Sequence, residues 1–182
     1  MKTIEELDKH IASFIQGGFG QADMAVMKEE CEKLKPGDVY VEIGVDEGRS
    51  ARVAHEYCPE GVYKLFIDIH DHGPVAGVTI SRAAFMEQEG MVGLGKRGFY
   101  IHGDADEFLY LFEIPIDLLF IDAHHDYESI KRNHNMWAWR LKKYGGVILY
   151  HDYDHPDVKR FLDEEYADDK EVLHNKIVRV KK

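Results

Sequence analysis

The hydrophobic positions of this chain follow two spacings in turn, helical stripes and short unbroken runs. Ile4, Leu7, Ile11, Phe14 and Ile15 fall on one stripe, and Thr3 and Glu6 are spaced as a capping box, which predicts a helix over residues 4–16. Gly17-Gly18-Phe19-Gly20 breaks it, as a linker or as part of a lid. A second helix is predicted from about Asp23 to Leu34, stopped by Lys35-Pro36-Gly37-Asp38. Unbroken apolar runs then take over at Val39–Ile43, Val62–Ile67, Phe99–His102, Asp117–Ile121 and Val147–Tyr150. Runs of this length, without polar alternation, are what strands buried on both faces look like. Helices are predicted between and after them, over Ser50–Tyr57, Ser81–Glu89, Tyr127 to Leu141, and Pro156 to about Tyr166. In the third of these, Tyr127, Ile130, His134, Trp137 and Leu141 keep 3-4-3-4 spacing, so His134 reads as a packed, hydrogen-bonded core histidine and not a ligand. Two short strands, Glu171–His174 and Ile177–Val180, read as a hairpin across Asn175-Lys176. Strand alternating with helix predicts an α/β fold with a mostly parallel sheet and an antiparallel C-terminal excursion. Residues 1–36 are expected to form a helical segment packed on a core built from 37–182.

The chemistry gathers where these runs stop. The fourth ends in Asp122-Ala-His124-His125-Asp126-Tyr127, and the fifth, entered through Gly145-Gly146, ends in His151-Asp152. In an open parallel sheet, adjacent strands deliver such residues to one crevice at their carboxyl ends. Carboxylates with imidazole suit a divalent cation, with a histidine available as ligand or base. The first run leads into Glu42-Ile-Gly44-Val-Asp46-Glu47-Gly48-Arg49-Ser50, a glycine turn before a helix. Glycine permits positive φ and close approach of backbone to ligand. The spacing is neither G-x-G-x-x-G nor a P-loop, and Glu42 disfavours a pyrophosphate, so a nicotinamide-dinucleotide domain is a weak reading. Asp68, at the end of the second run, is placed to accept hydrogen bonds from a ribose diol.

The totals narrow the class. At 182 residues, 45% hydrophobic and 31% charged, the chain is ordinary globular material for one core. A net charge of −11 argues against nucleic-acid phosphate as the main partner. Cys31 and Cys58 fit no disulfide framework, which leads one to expect reduced thiols and a cytoplasmic protein. Neither a signal-peptide core nor a run long enough to span a bilayer is present in these residues.

Several motifs together resemble the class I S-adenosylmethionine-dependent methyltransferases, and within them the small-molecule O-methyltransferases grouped with macrocin-type, rhamnosyl-type and cephalosporin hydroxylase-like proteins. Glu42-Ile-Gly44-x-x-x-Gly48-Arg-Ser50 matches the first cofactor motif, Ile67-Asp68 the ribose-binding acid, and Gly103-Asp104-Ala105 the adenine loop. The most specific pair is Phe120-Ile121-Asp122-x-x-His125-x-Tyr127 followed by Gly145-Gly146-Val-Ile-x-x-His151-Asp152. The resemblance implies a Rossmann-like doubly wound sheet with helices on both faces. It implies S-adenosylmethionine bound by Glu42, Gly44, Gly48, Ser50, Asp68, Asp104, Ala105 and Asp122, with Glu42 countering the positive end of the cofactor. It further implies a divalent metal, magnesium or manganese, held by Asp122, His151 and Asp152, and catalysis by Asp122 with His125 as general base. The acceptor would be a hydroxyl of a small molecule, with homodimerisation common among relatives. Ala123, His124 and Asn133 depart from the usual Gly, Asp and Asp of the group. Two other readings compete. One is a methyltransferase fold that binds a ligand without turnover. The other is a manganese metallohydrolase, since Asp122-Ala-His124-His125-Asp126 looks like the ligand run of the ureohydrolases and Asp68-Ile-His70-Asp71 like a second group.

Overall fold

The computed structural model describes all residues except 14–17, 70–85, 88, 94–96, 110–112, 143–144 and 182. Seven strands form one sheet: β1 (Val39–Ile43), β2 (Tyr63–Asp68), β3 (Gly98–His102), β4 (Leu118–Ile121), β5 (Val147–Tyr150), β6 (Glu171–Leu173) and β7 (Ile177–Lys181). Their order is β3-β2-β1-β4-β5-β7-β6. The first five run parallel, and β7 lies antiparallel between β5 and β6. The predicted doubly wound, mostly parallel sheet with antiparallel C-terminal strands is therefore what the chain forms. Every residue of β1 and β4 is buried, as an unbroken apolar run requires.

Side-chain alternation sorts the strand residues into two layers. Tyr40, Phe66, Phe120, Leu149 and Ile177 face α1 (Ile4–Ala12), α2 (Gln21–Cys31) and α3 (Arg49–Tyr57), where Leu7, Ile11, Met24, Met27, Val53 and Tyr57 complete the layer. Val41, Ile43, Leu65, Ile121, Ile148 and Val178 face the other way, onto α4 (Ala105–Phe108), α5 (Tyr127–Trp137) and α6 (Pro156–Tyr166). His134 packs in this second layer, its Nδ1 2.6 Å from the Tyr150 hydroxyl and 3.2 Å from that of Tyr166, in the core position its spacing predicted.

Boundaries differ from the sequence reading where capping decides them. α1 carries the expected Thr3–Glu6 box but ends at Ala12. α2 starts two residues before the predicted Asp23, because the Asp23 carboxylate accepts the N–H of Gly20 at 2.7 Å and so sits inside the first turn. The helix predicted over Ser81–Glu89 lies mostly outside the described residues. Both cysteines are free and buried. Among the described residues no helix is long and apolar enough to cross a membrane.

Candidate functional site

The strand order reverses between β1 and β4, and a crevice opens where their carboxyl ends diverge. A cavity of about 340 Å³ occupies it. Of the predicted residues, Gly44, Ser50, Asp68, Asp104, Ala105, Asp122, His125, His151 and Asp152 line this cavity. Glu42 and Gly48 do not.

Gly44 has φ +86, and a Cβ added there would lie 2.1 Å from the Asp122 carbonyl oxygen. Only glycine lets the β1 turn pass so close to the end of β4, so one residue sets both the turn and the seat of Asp122. Gly44→Ala is expected to cost about 2–4 kcal/mol from left-handed strain plus overlap with fixed backbone, read as a lower urea midpoint.

Asp68 Oδ2 accepts the N–H groups of Val45 and Asp46, both at 2.7 Å, tying the glycine turn to the end of β2. Gly48, with φ 89, caps α3 from outside the cavity. Asp104 caps α4 by accepting the Asp106 N–H at 3.0 Å. Glu42 is fully buried, with its carboxyl turned into the core layer beneath the cavity. There it accepts hydrogen bonds from the Tyr40 hydroxyl at 2.7 Å and the Ser50 hydroxyl at 2.5 Å. Burial, reinforced by the charges of Asp122 and Asp68, pushes its pKa up to about 8 despite these two donors. The side chain expected to meet the cofactor's positive end holds Ser50, which does line the cavity.

At the other end, β4 and β5 bring Asp122, His151 and Asp152 together, with one ligand atom from each lying within 4.8 Å of the others. His151 Nδ1 is 3.3 Å from Asp122 Oδ1 and 3.3 Å from Asp152 Oδ2. His125 Nε2 lies 2.8 Å from Asp152 Oδ2 and 3.9 Å from Asp122 Oδ1. Asp122 and Asp152 push the His125 pKa up to about 10, and the close contact is the one to Asp152. Burial opposes charge on His151, but Asp122, Asp152 and Asp23 outweigh it and raise its pKa to about 11. The carboxylates that favour the charged imidazoles are the groups that a cation would also serve. Among the described residues neither buried His151 ring nitrogen has a hydrogen-bond partner, and Nδ1 faces two carboxylates. That donor set, two carboxylate oxygens and one imidazole nitrogen, fits a hard or borderline divalent cation.

Residues outside the predicted set of site residues also contribute. Phe19 lines the cavity and packs its ring 5.3 Å from that of His151. Its carbonyl accepts from Arg49 Nε at 2.9 Å, and Arg49 is paired with Asp8 at 2.6 Å. The glycine-flanked segment therefore lies over the site, although 14–17 fall outside the described residues. Arg132 lines the cavity and pairs with Asp106 at 2.7 Å. Asp23, on α2, comes within 3.6 Å of His151 Nε2. Its only local cue was an acid at the start of a helix, which capping alone explains.

The ureohydrolase-like run does not gather its ligands. Asp126 is exposed and caps α5 by accepting the Ser129 N–H at 3.0 Å, and His124 is not in the ligand group found among the described residues. His70 and Asp71 lie outside the described residues. Residues 41–153 match the family described as a methyltransferase domain. The chain belongs to that family. No curated protein matches this methyltransferase domain in sequence. Among solved structures it is similar to the Bacillus cereus O-methyltransferase in complex with S-adenosylhomocysteine, at 17% identity and a TM-score of 0.67, covering 100% of this chain and 92% of that one. It is similar to TomG of Streptomyces achromogenes, an O-methyltransferase of tomaymycin synthesis in complex with S-adenosylmethionine, at 17% identity and 0.62, covering 98% and 88%. CalS11, a TDP-rhamnose 3'-O-methyltransferase of calicheamicin biosynthesis, gives 16% and 0.63, covering 87% and 76%. At these identities the likeness is one of fold.

Proposed function

We propose that this methyltransferase domain transfers the methyl group of S-adenosylmethionine to a hydroxyl oxygen of a small molecule. In this reading Asp122, His151 and Asp152 hold a divalent cation, magnesium or manganese, beside the acceptor. The observation that carries it is the convergence of those three side chains on the same cavity as the glycine turn, in a chain of the methyltransferase family. The complexes of TomG and of the Bacillus enzyme support the choice of cofactor.

When bound, S-adenosylmethionine supplies an electrophilic methyl group, and the cation lowers the pKa of the acceptor hydroxyl and orients it. Gly44, Ser50, Asp68, Asp104 and Ala105 form the half of the cavity proposed for the cofactor, with Asp68 accepting from the ribose. Asp122, His125, His151 and Asp152 form the acceptor half. The chain's work is to bring oxygen and methyl to roughly 3–3.5 Å in line, while Gly18 and Phe19 cover the crevice against water. His125 keeps its proton while the charge of Asp122 and Asp152 is unbalanced. In this reading, once that charge is offset, His125, whose Nε2 lies 2.8 Å from Asp152 Oδ2, takes the acceptor's proton.

Calorimetric titration with S-adenosylhomocysteine, with and without Mn²⁺ and again with chelator, tests both halves. Micromolar cofactor binding and a separate Mn²⁺ isotherm are expected. Absence of S-adenosylhomocysteine binding under every condition sinks the assignment, and cofactor binding without a metal isotherm removes the cation from it.

A further inference from the structure

Cys31 and Cys58 are the two cysteines of the chain, and the fold brings them to one place. Cys31 is the last residue of α2, and Cys58 caps α3 at its C-terminus. The two helices pack against each other, and both cysteines belong to the core layer that holds Met27, Tyr40 and Tyr57. Cys31 is 0% exposed and Cys58 is 9% exposed. Contact with the Cys58 side chain, reinforced by burial, pushes the Cys31 thiol well above its ordinary range. The amine of Lys64, itself buried on β2, lies within electrostatic reach of both thiols and donates to the Val62 carbonyl at 3.4 Å. Methyl transfer has no use for two thiols and an amine buried side by side.

We propose that Cys31 and Cys58 form a redox-sensitive clamp, which closes to a disulfide by exchange with a low-molecular-weight disulfide and ties α2 to α3. Cys58 is the thiol with surface to meet the reagent. Its thiolate attacks one reagent sulfur and expels the other half as a thiolate. Burial lowers the pKa of Lys64, so its free amine is available to take the Cys58 proton and pass it to the released thiolate. The Cys31 sulfur, lying against Cys58, then attacks the mixed disulfide at the Cys58 sulfur and expels the second half. In sum one S–S bond breaks and one forms, two electrons pass from the cysteines to the reagent, and both protons end on the two released thiols. The clamp acts on the helices that border the crevice. α2 begins directly after Phe19 and Gly20, and α3 begins with Arg49 and Ser50, which line the cavity. Arg49 Nε already ties these near ends by donating to the Phe19 carbonyl at 2.9 Å. The disulfide ties the far ends, so the two helices lose freedom together.

The test exposes the full, reduced chain to oxidised glutathione in native buffer. Loss of both free thiols is expected, with a mass lower by two hydrogens and no glutathione retained. The amides of α2 should then exchange hydrogen more slowly, since the crosslink suppresses local opening. The urea midpoint should rise by about 1–2 M, the shift that a crosslink closing a loop of this size gives at ordinary denaturant slopes. Dithiothreitol should reverse all three changes in the same sample, so the comparison needs no variant. None of these readouts needs cofactor or metal, so they stand apart from the methyl-transfer reading. Cys58→Ser, which cannot close the disulfide, should gain neither protection nor stability from the same treatment. Thiols that stay reduced in the folded protein, or a stable glutathione adduct, overturn the clamp. So does a crosslink that leaves α2 exchange and the urea midpoint unchanged, or an equal gain in Cys58→Ser.

Discussion

Asp152→Asn is expected to abolish measurable Mn²⁺ binding and to lower methyl transfer by about 10²–10⁴-fold, the range that a positioned proton transfer supplies, with the fold retained. Asparagine is the informative replacement because Asp152 has φ 54. Asn and Asp enter that left-handed region more readily than alanine, for which the strain is about 1–2 kcal/mol. Asp152→Ala would therefore mix backbone strain with lost chemistry. The carboxylate itself is difficult to replace. Burial works against its charge, but His125 and His151 hold its pKa well below the usual carboxylate range. An amide supplies neither the charge nor the ligand oxygen. His125 then loses its 2.8 Å partner, and its pKa, pushed up to about 10 by Asp122 and Asp152, should fall toward the ordinary histidine value. Three measurements check this: Mn²⁺ calorimetry, transfer of labelled methyl, and an NMR titration of His125. Wild-type Mn²⁺ affinity in Asp152→Asn would remove Asp152 from the metal site.

How much of this was legible in the sequence depends on whether neighbours along the chain carry the information. β5 was read to the residue, because Val147–Tyr150 is bounded by Gly145-Gly146 and by His151-Asp152. α6 was likewise read from Pro156, since proline at the first helical position marks a start. That Asp122, His124, His125, His151 and Asp152 would gather at one crevice was legible because two predicted strands end in the same chemistry and are adjacent in this fold class, while the narrower trio Asp122, His151 and Asp152 came from the family resemblance. Asp23 was not legible, because its meaning comes from His151, far along the chain, while its local pattern is satisfied by Gly20. Glu42 was legible in position but not in surroundings. Its position before the glycine turn was read as access to the cofactor, but alternation along β1 puts it on the same face as Tyr40, toward α2 and α3. The rule that sorts strand residues into layers was available from the sequence. Which layer lay beneath the cavity was not.

That buried acid gives the other large effect. Glu42→Gln is expected to stabilise the protein in alkaline solution by about 5 kcal/mol, and to change little below pH 4. Burial is the main cause of the raised pKa, and the charges of Asp122 and Asp68 add to it, while Ser50 and Tyr40 pull the other way. The folded state therefore binds the Glu42 proton more tightly than the unfolded chain does. Stability from this group is fully present below the unfolded pKa of 4.5 and is lost as pH rises through about 8. A difference of that size, at about 1.4 kcal/mol per pH unit, sums to about 5 kcal/mol. Glutamine occupies nearly the same volume, carries no charge at any pH, and can still accept from Ser50 or Tyr40 through its carbonyl. Urea unfolding at pH 5, 7 and 9 should therefore show wild type losing stability steadily relative to Glu42→Gln. Parallel curves for the two proteins would mean that Glu42 ionises in the folded core without penalty. In that case burial would not be what sets its ionisation, and the account of Glu42 as a buried, protonated support for Ser50 would have to be given up.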